Sequence, residues 1–222
     1  MSAAIAKAVA AAAPRTEGEP IEAYRDDGPI ARALGSLAGT NVRLPPALLV
    51  FAGVAPFIVV LGLEGDGASR ALVGALLAWL VLVAGISSRS RRTDRFRWTI
   101  PPQLRAVEYA GILWIASLDG SSSFPAAFAL LAATAFRHYD LVYRLRYRGV
   151  MPPRWVSAVG GGWDGRLVAG YVLLVAGALP TGFFVAAALL AAVFVGDSAL
   201  GWIRQNRAQA PVAYEDEEDE GH

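Results

Sequence analysis

The chain contains no cysteine, so disulfides, thiolate zinc sites, iron–sulfur clusters and a cysteine nucleophile are excluded. It has only two histidines, His138 and His222, and no HExxH run, so no metal site is expected, and no cofactor. Lysine is nearly missing: 19 of the 20 basic residues are arginine. Charge as a whole is scarce, at 18% of 222 residues against 55% hydrophobic, with a mean hydropathy of +0.42. These proportions exclude a disordered chain and an ordinary water-soluble enzyme. The charge that is present is bunched. Glu215, Asp216, Glu217, Glu218, Asp219 and Glu220 hold six of the 19 acids; the other 13 face 20 bases, so a net charge of +1 conceals a body of about +7.

A helix that crosses the hydrocarbon core of a bilayer needs about 20 apolar residues. Six stretches qualify or nearly do: 44–63, 71–88, 102–118, 122–136 (running on as a helix to 140), 167–179 and 182–203. The third carries Arg105 and Glu108 in its first two turns. The last two are joined by a turn at Pro180-Thr181-Gly182, and an alternative merges them into one hairpin that dips without crossing. The expected fold is therefore all-α, a polytopic membrane bundle of about six spans. Eighteen of the 20 bases fall before the first span, between spans two and three, between four and five, or after six. That asymmetry predicts a multi-pass protein of the cell membrane with both termini and the two long loops cytoplasmic. Residues 1–20 read as a disordered leader, 21–43 as an interfacial amphipathic segment, 44–207 as the membrane domain and 208–222 as a disordered acidic tail.

Ionisable residues at membrane depth are costly, which makes each a candidate for function. In the run 137–144, helical spacing puts Asp140 within reach of both Arg137 and Arg144, with Tyr143 on that face and His138 turned away. Two readings stand: a phosphate site, since guanidinium forks match phosphate oxygens, or an ion-paired helix end. Glu108 pairs either with Arg105 one turn earlier or with an arginine across the bundle. The glycines 160–162 before Trp163-Asp164-Gly165-Arg166 make a tight surface loop with Asp164 as a helix cap; no GxxxxGK[ST] nucleotide loop is present. Asp197 is the deepest acid, a relay or substrate residue or the partner of a neighbouring arginine. The arginines follow the topology, so no nucleic acid is expected as a partner.

Several segments in order carry a likeness: 24–29 (YRDDGP), 95–98 with Pro101, Leu104-Arg105 and Glu108-Tyr109, 138–144 (HYDLVYR), and 152–155 with 162–166. Together they resemble an actinobacterial membrane domain of unknown function, commonly found C-terminal to CDP-alcohol phosphatidyltransferase-like regions. The resemblance covers roughly residues 22–207 and implies a link to phospholipid or phosphoglycolipid synthesis. The CDP-alcohol signature itself is incomplete. Asp27-Gly28, Ala31 and Arg32 match its D-G-x-x-A-R fragment, but Tyr24, Pro45 and Leu49 stand where three of four carboxylates belong, and Asn41 replaces its glycine. A metal pair cannot be assembled from what remains.

The expected function is an accessory membrane module that binds a phosphate-bearing lipid, or a CDP-alcohol phosphatidyltransferase-like enzyme, at the cytoplasmic face. The phosphate candidates are Arg105, Arg137, Tyr143, Arg144 and Arg166. The alternative is a transferase in the same pathway whose site uses Glu108, His138 and Asp140, and a small transporter built around Asp197 comes third.

Overall fold

Proline, scarce inside the helices, begins them. Pro29, Pro46, Pro101, Pro125 and Pro180 all fall in first turns, where the missing N–H would have had no partner and the fixed φ suits a helix. The computed structural model describes residues 24–39, 42–90, 94–148 and 153–208. The expected leader, the first residues of the interfacial segment and the acidic tail after Ala208 lie outside the described residues.

Among the described residues there is helix and no strand. In chain order the elements are α1 (Pro29–Ala38), α2 (Pro46–Glu64), α3 (Arg70–Ile86), α4 (Ile100–Asp119), α5 (Phe124–Tyr143), α6 (Arg154–Val159), α7 (Gly162–Val175) and α8 (Leu179–Ala208). A π-helical turn, Arg144–Arg148, extends α5. The helices pack α2 on α3, α5 on α8, and α4 between α2 and α7, while α1 lies across α3. At one end Trp114 donates to the Gly65 carbonyl (2.6 Å) and Arg70 to that of Leu174 (3.2 Å), which sets the ends of α2, α4 and α7 beside the start of α3. The opposite end gathers the starts of α2, α4 and α7 with the ends of α3 and α5, and it carries most of the arginine.

Among the described residues, three helices are long and apolar enough to cross a membrane: Pro46–Gly67, Arg70–Arg89 and Leu179–Arg204. The other three expected spans are the inner ones. Half of α4 is buried, 10 of 20 residues, and half of α7, seven of 14. A helix shielded by neighbours can hold polar side chains that would be unaffordable against lipid, so its hydropathy falls below that of a lipid-facing helix. At about 1.5 Å per residue, α7 is roughly 21 Å long, short of the ~30 Å hydrocarbon thickness.

Two boundaries differ from the sequence expectation. The turn before the last helix is at Ala176–Ala178, not at Pro180-Thr181-Gly182. Gly177 takes φ +67°, a conformation glycine adopts without strain, and Pro180 then serves as a helix starter. The fifth apolar stretch becomes a helix from Gly162, five residues early, because Trp163, Asp164 and Arg166 are buried polar anchors rather than a surface loop.

Candidate functional site

Two networks of buried charge occupy the arginine-rich end. The first forms around residues 25–28, which run between α3, α4 and α7. Asp26 accepts from Arg166 of α7 (2.8 Å), whose Nε donates to Glu108 of α4 and whose Nη1 donates to the Gly160 carbonyl (2.8 Å). Each of the three nitrogens of that guanidinium donates to a protein acceptor. His138 of α5 places Nε2 3.7 Å from both Asp26 Oδ2 and Glu108 Oε2, and its Nδ1 lies 2.9 Å from the Tyr109 hydroxyl. Arg25 is paired with Asp27 (2.8 Å) and donates to Ser87 and to the Ala84 carbonyl of α3. Trp163 donates its indole N–H to Asp27 (2.8 Å). Burial by itself would raise the pKa of Asp26, but Arg166, His138 and Arg137 outweigh it and hold the carboxyl well below the usual range.

Asp164 explains why this segment is fixed. The N-terminus of α1 has no side-chain cap of its own, with Gly28 before it and Pro29 opening it. Asp164, fully buried on α7, accepts from the backbone N–H groups of Gly28 (2.6 Å), Ile30 (3.0 Å) and Ala31 (2.9 Å). It is a cap in trans, where the sequence suggested a cap for its own helix, and its charge also meets the positive end of the α1 dipole. The two backbones touch: a Cβ on Gly28 would overlap the Gly161 carbonyl, and Gly162, at φ +63°, lies against Gly28 itself. The Asp27-Gly28 fragment and the triple glycine are thus two halves of one backbone contact, completed by Trp163 N–H on the Asp26 carbonyl (3.2 Å). The same device recurs at α2, which begins at Pro46 with Asp94 accepting from Ala47 N–H (3.3 Å).

The second network joins α5 to α8. Arg144 pairs with Asp140 one turn before it (2.8 Å) and with Asp197 (3.0 Å), and Ser198 donates to Asp140 (3.0 Å). Asp197 therefore has an arginine partner, one of the two readings its sequence allowed. Arg137, expected to share Asp140, instead donates to Ser157 of α6 (3.2 Å) and stacks over the Phe194 ring (5.4 Å). Among the described residues its Nε and Nη1 have no hydrogen-bond partner, nor has Glu108 Oε2 or Arg105 Nε. Arg105 reaches only the Tyr24 carbonyl among the described residues, at 3.5 Å, and does not bond Glu108. Tyr143 is half-buried and stacks with Tyr139, Tyr147 and Trp202.

The proposed catalytic trio is thus divided. Glu108 and His138 come together, and His138 points inward rather than away, but Asp140 belongs to the other network and Asp26 holds its place. Sequence reasoning passed over Asp26, Arg25 and Asp27 as members of the site. The only signal was their position inside the YRDDGP run, which pairs across the bundle with residues far along the chain. Among the described residues six buried carboxylates (Asp26, Asp27, Glu108, Asp140, Asp164, Asp197) exceed four buried arginines (Arg25, Arg137, Arg144, Arg166). Three of these arginines, Arg25, Arg144 and Arg166, are paired with acids, and Arg137 is not. Four on the surface of this end are also unpaired: Arg89, Arg95, Arg146 and Arg204 are exposed, and none of these four has an ion pair among the described residues. No group of three or more His, Asp or Glu side chains among the described residues is arranged to hold a metal ion.

Residues 16–221 match a family of unknown function, DUF5941. No curated protein and no solved structure matches the chain.

Proposed function

This chain belongs to the DUF5941 family, of unknown function, and from that starting point we propose that it is an accessory membrane module that binds phosphate-bearing lipids. In this reading six helices are inserted, with α4, α5 and α7 inside and α2, α3 and α8 facing lipid, and both termini and the arginine-rich end are cytoplasmic. One observation carries the reading: three of the four buried arginines are paired with carboxylates, while the exposed Arg89, Arg95, Arg146 and Arg204 at the same end have no acid partner among the described residues. The buried networks then hold the fold, and the exposed arginines meet the lipid phosphates. This moves the lipid contact from Arg105, Arg137, Arg144 and Arg166 to the rim. The association with CDP-alcohol-dependent phospholipid or phosphoglycolipid synthesis rests on the sequence likeness alone; stable co-purification with a CDP-alcohol phosphatidyltransferase-like enzyme would support it.

Each basic residue close to an anionic surface contributes about 1 kcal/mol, roughly fivefold in binding. The triple variant Arg89→Gln, Arg146→Gln, Arg204→Gln should retain its melting temperature and lose most of its co-purified anionic lipid. Arg144→Gln should do the reverse. Equal anionic lipid in wild type and the rim triple variant would refute the reading. A transferase is the second reading, favoured by the meeting of His138, Asp26, Glu108 and Tyr109; CMP release from a CDP-alcohol by the purified chain, abolished in His138→Gln, would establish it.

A further inference from the structure

Among the described residues no exposed acid stands at the arginine-rich end. Ten of the 19 acids are described, and six of these are buried. Glu64, Asp66 and Asp119 lie at the opposite end, where α2 and α4 finish. Asp94 is half-buried and accepts from the N–H groups of Ala47 and Phe96, so its charge is absorbed by backbone. The nine remaining acids are Glu17, Glu19, Glu22 and the unbroken run 215–220. The first three are spaced between Arg15 and Arg25; the run holds six carboxylates and no base. Inside this chain, the densest counter-charge for the exposed arginines is therefore 215–220.

Two of those arginines, Arg146 and Arg204, are carried by helices that meet at one corner. Arg144 ties α5 to α8 through Asp197 (3.0 Å), and Arg146 follows it in the π-helical turn that extends α5. Tyr143 stacks on Tyr147 (5.5 Å) and on Trp202 of α8 (6.3 Å), and Arg204 follows Trp202 by two residues. Both arginines are exposed. α8 ends at Ala208, only about 6 Å beyond Arg204 at ~1.5 Å per residue. Seven residues then separate Ala208 from Glu215, a reach of up to ~25 Å. The acidic run can thus return over both arginines. A tether this short holds it there at a local concentration on the order of millimolar.

We propose that residues 215–220 dock on Arg146 and Arg204 of the same chain and compete there with lipid phosphate, an electrostatic brake on lipid binding. The proposal rests on the lipid-binding reading above and adds its regulation. Carboxylate and phosphate oxygens accept the same guanidinium hydrogen bonds, so the acidic run and an anionic surface are alternative partners. Single exposed ion pairs are weak, and the brake is accordingly graded, summed over several carboxylates. A dense anionic surface releases it. Salt weakens it, since the screening length falls from ~10 Å at 0.1 M to ~3 Å at 1 M.

Lys7 is the only lysine, so Arg146→Lys or Arg204→Lys adds one new side-chain amine at the corner. Zero-length carbodiimide coupling of the detergent-purified full chain at low salt should join that amine to a carboxylate of 215–220. The yield should be independent of protein concentration and fall several-fold in 1 M salt or with excess phosphatidylglycerol. No such link overturns the proposal; so does a yield that rises with protein concentration, since the acids would then come from a second copy. Replacing the six acids by their amides should tighten phosphatidylglycerol binding roughly fivefold in native mass spectrometry, the worth of one basic residue freed. Adding Arg146→Gln and Arg204→Gln should erase that gain. A gain that persists without those arginines is general repulsion of anionic lipid and overturns the docking. If the rim triple variant loses lipid while no link forms, the lipid-binding reading survives and this one falls. If the link forms while the rim triple variant keeps its lipid, the docking stands and the lipid-binding reading is what fails.

Discussion

Replacing Asp164 tests whether the first described helix is held to the bundle by one carboxylate. In Asp164→Ala, three backbone N–H groups lose their acceptor, and two of them belong to Gly28 and Ala31, which are fully enclosed. Water cannot replace the acceptor there, and each buried donor left unsatisfied costs about 1–3 kcal/mol, so the pair predicts a loss of about 2–6 kcal/mol. That is a large share of the ~5–15 kcal/mol by which a domain is stable. Asp164→Asn keeps one oxygen acceptor but no charge, and should fall between the alanine variant and wild type. Equilibrium unfolding in mixed micelles gives the free energies, and amide hydrogen exchange over residues 28–38 shows whether the loss is local to α1. Asp94→Ala is the internal comparison: its cap on α2 is a single longer bond at a half-buried position, worth about 0.5–2 kcal/mol. A change below about 0.5 kcal/mol for Asp164→Ala, with unaltered protection of α1, would refute the argument that this cap fixes the segment.

Other expectations follow from the same geometry. Asp26 has a folded pKa below the ordinary ~3.9, so its stabilisation is fully present above that pH and is lost as pH falls through the folded value; acid unfolding should steepen below about pH 4 and flatten in Asp26→Asn. Asp140→Asn and Asp197→Asn each leave Arg144 one acid, whereas the double variant leaves a buried guanidinium unpaired, so the double should lose clearly more stability than the two single losses added. For topology, single cysteines at the exposed positions Asp66 and Ser122 should react with an impermeant thiol reagent in intact cells, and one at the exposed Phe96 should not; labelling at Phe96 in sealed cells overturns the orientation.

Helical class, apolar runs and the clustering of arginine at one end were legible because they are local properties, summed over a window or counted in a loop. The starts of α1, α2, α4 and α5 could be read from prolines, with boundaries shifted by a few residues. Partners were another matter. Spacing along one helix offered Arg137 and Arg144 to Asp140, and Arg105 to Glu108, since i,i+3 and i,i+4 neighbours are all a single helix reveals. In the folded chain Arg144 and Asp140 do pair, but Arg137 turns to Ser157 and Phe194, and Glu108 takes Arg166, 58 residues away.

The sequence by itself determined that the chain is helical and strongly apolar, that cysteine chemistry is closed to it, and that its charge is concentrated in arginine. Those follow from residue types and their order, independent of what packs on what. Only the tertiary structure decided that Asp26, Glu108, His138 and Arg166 meet, that Asp164 caps a helix 133 to 136 residues distant, and that the triple glycine serves a backbone crossing with Gly28. A buried charge takes whichever opposite charge the packing delivers within about 4 Å, since an unpaired ion in a low-dielectric interior costs far more than any local spacing preference can return.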